Sequence, residues 1–66
     1  MTNQKQIRAA FWDAHYILAE RAREAGILTA PQNRHNAQTR AAFVEFIDAL
    51  HREGRISDAL AGRATL

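Results

Sequence analysis

Histidine is the commonest side chain for acid–base work and for metal ligation, and this 66-residue chain has three: His15, His35 and His51. No two of them share the i, i+4 spacing that brings two imidazoles to a zinc ion on one helix face. The chain has no cysteine, which excludes a disulfide and a thiolate zinc site. Asp48 and His51 stand three residues apart, so the carboxylate could orient the imidazole. Nucleophilic catalysis also needs a nucleophile, and the nearest hydroxyl, Ser57, sits where a helix cap is wanted. His51 therefore reads as a boundary residue bonded to Asp48 or to water. Asp13, Glu20 and Glu24 lie among Arg21 and Arg23, and Glu20 repels Glu24 one helical turn away. Such a pattern is a solvated face rather than an acid–base pair. The three glycines are scattered and build no phosphate loop. No catalytic residue, cofactor, metal or small-molecule substrate is expected, and the chain is not read as an enzyme.

Surfaces say more than sites. The formal charge is only +2, but eight of the nine basic residues are arginine. Arginine presents a planar fork suited to carboxylates and phosphates. Codon bias in a GC-rich genome, visible also in the many alanines, is the favoured reading, since arginine composition alone specifies no partner. From Thr29 to Val44 there is no acidic residue, while Arg34, His35 and Arg40 are present. A positive loop beside a helix N-terminus can hold an anion, which makes these three a candidate nucleic-acid contact; the other reading is a solvated loop. Leu50 to Ser57 followed by Asp58-Ala59-Leu60-Ala61 has the form of a helix, a glycine turn and a capped second helix, as in DNA-binding helix pairs. Within Asp58 to Leu66, however, a recognition helix has little length, and only Arg63 to offer bases.

The other candidate face lies on the first helix. Arg8, Trp12, Tyr16, Ala19 and Arg23 share one side of a helical wheel, away from its apolar stripe. Aromatic residues flanked by arginine are enriched at protein interfaces. Arg8 and Trp12 are also one turn apart, the spacing of a cation–π contact. Trp12 can instead complete the core beneath the loop or a third helix, and Tyr16 is the better candidate to stay exposed.

The elements that must position these residues are helical. One helix is expected from Gln4 to Ala25, with Asn3 and Gln6 as a capping box. Its apolar stripe is Ile7, Phe11, Ala14, Leu18, Ala22 and Ala25, widened by Ala10 and Ile17. Gly26 stops it. Thr29 to Asn36 is a connection rich in turn formers, in which Thr29 and Gln32 could cap a short extra turn. A second helix is expected from Ala37 to Glu53, capped by Asn36 and ended by Gly54, with Phe43, Val44, Phe46, Ile47 and Leu50 facing inward. Ser57 caps a short third helix over Asp58 to Gly62, whose apolar side, with Ile56, Leu60 and Leu66, closes over the pair. The fold class is all-α: an antiparallel helical hairpin closed by a short C-terminal helix, one domain over residues 1–66. A chain this short has little core and gains stability only by efficient packing or by self-association. No apolar run of signal-peptide or membrane-spanning type is present, and the expected location is the cytoplasm.

Phe11-Trp12-Asp13-Ala14-His15 resembles a motif of small uncharacterised proteins carried on bacterial plasmids and integrative elements. So does the run through Thr39-Arg40, Ala42-Phe43-Val44, Asp48, Leu50-His51-Arg52, Gly54, Ile56-Ser57, Leu60-Ala61 and Arg63-Ala64-Thr65-Leu66, with Gln32-Asn33 as an upstream pair. The similarity covers about the last half of the chain and a short N-terminal piece. It departs between Tyr16 and Pro31, where this chain carries a longer helix-like stretch. The resemblance implies a mobile-element origin and carries over no site residue. The expected function is a protein-interaction module that binds another protein or a copy of itself, through Arg8, Trp12, Tyr16 and Arg23. The alternative is an accessory nucleic-acid-binding protein of a mobile element, through Arg34, His35 and Arg40.

Overall fold

A helix begins where a side chain can accept from its first unpaired N–H groups, and three short polar residues do this here. Asn3 Oδ1 accepts from the Gln6 N–H at 2.9 Å, Asn36 Oδ1 from Thr39 at 2.8 Å, and Ser57 Oγ from Leu60 at 3.1 Å. They open α1 (Gln4–Ala14), α3 (Ala37–Arg52) and α4 (Asp58–Arg63) in a computed structural model that describes all 66 residues. The reciprocal half of the first box is displaced by one residue: Gln6 Oε1 accepts from the Thr2 N–H at 2.7 Å rather than from that of Asn3.

Two glycines stop helices. Gly26 and Gly54 have φ of 72° and 71°, the left-handed region where a side chain is strained. Each closes with the same pair of bonds. Gly26 donates to Arg23 O at 3.1 Å and Ile27 to Ala22 O at 2.9 Å; Gly54 donates to His51 O at 3.0 Å and Arg55 to Leu50 O at 2.9 Å. These are Schellman closures, which satisfy carbonyls that a helix end would leave unpaired.

The expected single helix over Gln4–Ala25 is two helices. The chain leaves helical geometry at His15, with φ −124° and ψ 57°, and resumes as α2 (Tyr16–Glu24). The Phe11 carbonyl is the pivot: it faces both the His15 backbone N–H at 3.0 Å and His15 Nδ1 at 3.0 Å. The break changes the phase of the wheel beyond residue 15. Ala19 and Ala22 are the buried residues of α2, Leu18 is half-buried, and Ile17, Ala14 and Ala25 are exposed. The loop carries a 3-10 turn at Gln32–Arg34, entered through Pro31. The final helix runs through Gly62 to Arg63, one residue past its expected end.

The result is all-helical: four α-helices, no strand, and one core. Ile7 and Phe11 of α1 meet Phe43 and Leu50 of α3, with Ile56, Leu60 and Leu66 closing from the C-terminal side. Phe11 and Phe43 pack edge to face, 5.1 Å between centroids, the arrangement that the ring quadrupoles favour. Val44, expected inside, is 60% exposed. It follows Phe43 by about 100° on the wheel, and the buried line of α3 is Thr39, Phe43 and Leu50, with Phe46 half-buried beside it. Thr65 ties three segments together. Its carbonyl accepts from Arg8 Nη1 at 2.9 Å, its N–H donates to Gln4 Oε1 at 3.3 Å, and its hydroxyl donates to Gln32 Oε1 at 2.9 Å. No helix is long and apolar enough to cross a membrane.

Candidate functional site

The break at His15 decides what α2 presents. Tyr16, Ile17 and Leu18 are consecutive, so a helix cannot turn all three inward. With alanines 19 and 22 on the inner side, Tyr16 is left 65% exposed and Ile17 53% exposed. They form an apolar knob whose base includes Leu18 and Ala42, with Arg21 at its edge. The imidazole of His15 stiffens the knob from beneath. It is half-buried, its ring centroid 4.5 Å from that of Phe11 at a 30° tilt and edge-on to Phe46 at 5.9 Å.

The four residues nominated for a protein contact do not behave alike. Tyr16 and Arg23 are exposed and share a shallow surface with Ala9 and the edge of Trp12. Trp12 itself is half-buried against the core, 4.9 Å from Phe11 and 5.5 Å from the His35 ring. Arg8 is half-buried and its guanidinium is held by the Thr65 carbonyl and by Gln4 Oε1. Ala19, placed with them on the wheel, is buried. Only the Tyr16 end of that face is open to solvent, and Ile17, which the wheel had assigned to the core, belongs with it.

The basic loop divides in the same way. Arg34 and Arg40 are exposed, while His35 is 4% exposed, its Nε2 donating to the Ala30 carbonyl at 3.1 Å. His35 pins the loop to Trp12 and offers no cation at the loop surface.

His51 does not pair with Asp48. Its Nε2 donates to Asp58 Oδ1 at 2.5 Å, across the Gly54 turn. A spacing of seven residues interrupted by a turn follows no helix-face rule, so the sequence pattern gave no sign of it. This pair stands at the mouth of a groove of about 460 Å³ between α3 and α4, floored by Phe43, Val44, Ile47 and Ala61. Asp48 and Asp58 are its ionic side chains besides His51, and no lysine or arginine lines it. No group of three or more His, Asp or Glu side chains converges as a metal site requires. No serine, threonine or tyrosine lines the groove beside the imidazole and carboxylates.

Compared with known protein families, with curated proteins and with solved structures, the chain matches none.

Proposed function

We propose that this chain is a small protein-interaction module, partnered by another protein or by a copy of itself. We read its arrangement as a helical hairpin: a first arm of α1 and α2 bent at His15, a second arm of α3, and α4 as the closing helix. The observation that supports the function is the knob: two adjacent large apolar side chains, Tyr16 and Ile17, both more than half exposed, on a bend fixed by a packed imidazole. A chain with so little core places its large apolar residues inside unless something else covers them. Tyrosine is among the residue types enriched at the energetic centres of interfaces. Arg23 and the Trp12 edge extend the surface. The reading is of a cytoplasmic protein with no catalytic role and no cofactor.

The test pairs stability with association. Tyr16→Ala should leave thermal unfolding nearly unchanged, within about 0.5 kcal/mol, since the ring is largely outside the core. It should weaken association by about 2 kcal/mol or more, read by sedimentation and by pull-down from the native cell. A variant that unfolds puts the ring in the core. A variant that changes neither reduces the knob to ordinary surface and overturns the reading.

A second reading has its own observation: Arg34 and Arg40 are both exposed on a stretch without acidic residues. It makes the chain an accessory nucleic-acid-binding protein of a mobile element. Binding to duplex DNA would then fall steeply with rising salt, and replacing both arginines would weaken every sequence alike. Absence of binding at low salt removes this reading.

A further inference from the structure

A second cleft, of about 600 Å³, opens between α1 and the loop that follows α2. Its size falls in the range of small-molecule sites. Its apolar wall is Trp12, Leu28, Pro31 and the buried Leu66. The Tyr16–Ile17 knob contributes nothing to it. One buried imidazole holds both sides: His35 donates to the Ala30 carbonyl of the loop and packs 5.5 Å from the Trp12 ring.

Besides apolar surface, the cleft offers hydrogen-bond donors. Arg8 uses only Nη1 on Gln4 and Thr65, at 3.4 and 2.9 Å, so Nε and Nη2 donate to nothing in the chain. Lys5 is exposed and forms no ion pair. Leu28 and Thr29 are consecutive turn residues, and neither backbone N–H has an acceptor in the chain. Free N–H groups in succession make a concavity that suits an anion. Of the loop carbonyls, those of Ala30 and Pro31 are already taken, by His35 and by the Arg34 N–H. No acidic side chain lines the cleft, and residues 1–12 and 25–44, which build most of it, hold none of the chain's seven. Asp13 and Glu20 belong with Arg23 to the neighbouring shallow surface, which shares only Trp12 with the cleft. Against two cations the chain sets at most the terminal carboxylate of Leu66.

We propose that this cleft binds a small organic acid, an oxyanion carried on an apolar body. The Arg8 fork and the Leu28 and Thr29 N–H groups receive the oxyanion, since guanidinium donors match the paired oxygens of a carboxylate or a phosphate. Lys5 adds its charge at the rim. The apolar body lies against Trp12, Leu28 and Pro31. Binding displaces no contact of the fold, because the donors it uses are free and the two Nη1 bonds of Arg8 remain. The site goes beyond the protein-contact reading and does not rest on it.

Trp12 is the only tryptophan, so its emission reads the cleft directly. The probes are phenylacetate, phenyl phosphate and the neutral phenylacetamide, titrated into the purified chain. At least one of the two acids should change Trp12 emission saturably and move the Leu28 and Thr29 amide resonances, and the tighter of the two names the oxyanion. Phenylacetamide should bind about tenfold more weakly than the acid, having lost the charge. Lys5→Gln changes an exposed side chain without an ionic partner and should weaken the acid about threefold. Arg8→Lys keeps the charge and removes the fork, which should weaken it about tenfold; thermal unfolding checks that this variant is folded, and Lys5→Gln carries the test if it is not. Acid and amide binding alike would make the cleft merely apolar and overturn the proposal. So would folded variants that bind the acid like the parent, or no saturable change at Leu28 and Thr29 with either acid.

Discussion

A carbonyl oxygen only accepts, so the ring nitrogens facing Phe11 and Ala30 must carry the protons. His15 is therefore protonated at Nδ1 and His35 at Nε2, by the partners each ring has. These two residues, which the composition offered first for chemistry, are spent on holding backbone. His35 joins the loop to Trp12 and to the Ala30 carbonyl. Its replacement by alanine should lower stability by about 1–3 kcal/mol, because the carbonyl loses its donor and the ring leaves a void. Chemical denaturation measures this, and a His35→Ala protein as stable as the parent would show that the loop is held by other means. The sequence could not announce this burial. His35 sits among polar residues with no periodicity of its own, and what buries it is a tryptophan twenty-three positions away. Tyr16 was legible as an exposed aromatic, whereas Val44 was not: five apolar residues crowd one helix, and only the packing chooses which is left out.

At the scale of elements, caps and stops were the most readable features, since each depends on a few adjacent residues. Asn3, Asn36 and Ser57 start helices, and Gly26 and Gly54 end them, where local chemistry says they should. Gly54→Ala should lower stability by about 1 kcal/mol. A Cβ there meets no other atom within 4 Å, so the loss would come from backbone conformation alone. A circular-dichroism melt of that variant matching the parent would contradict the left-handed closure. The break at His15 was not readable, because every residue from Gln4 to Glu24 tolerates a helix and no glycine or proline interrupts them. A ring nitrogen sharing the Phe11 carbonyl with the His15 backbone N–H depends on how Phe11 and Phe46 hold the imidazole, a tertiary matter. That one unread residue displaced the whole inner face of α2 and, with it, half of the candidate site.

For the molecule as a whole, the Cα radius of gyration is 11.3 Å, close to the roughly 10.8 Å that the scaling for compact chains gives at this length. Eleven of 66 residues are buried, so the core has little redundancy. Phe43→Ala removes the ring that Phe11 packs against and should cost about 3–5 kcal/mol, a large share of the roughly 3–10 kcal/mol such a chain has. Much of the variant should be unfolded at room temperature by near-ultraviolet circular dichroism, and a parent-like melt would refute this core. The last consequence concerns Thr65. Its three ties span 61, 57 and 33 positions of sequence, and all of them are exposed hydrogen bonds rather than buried contacts. Ties that close long loops form after local helices have paid their own nucleation, and exposed ones are the first to open again. Amide hydrogen exchange should therefore be fastest at Ala64 to Leu66 and in α4, slower in α1, and slowest at Phe43 to Leu50. The molecule should come apart from its C-terminal side, with α4 peeling away from α3 and uncovering the groove floor well before the helices themselves melt.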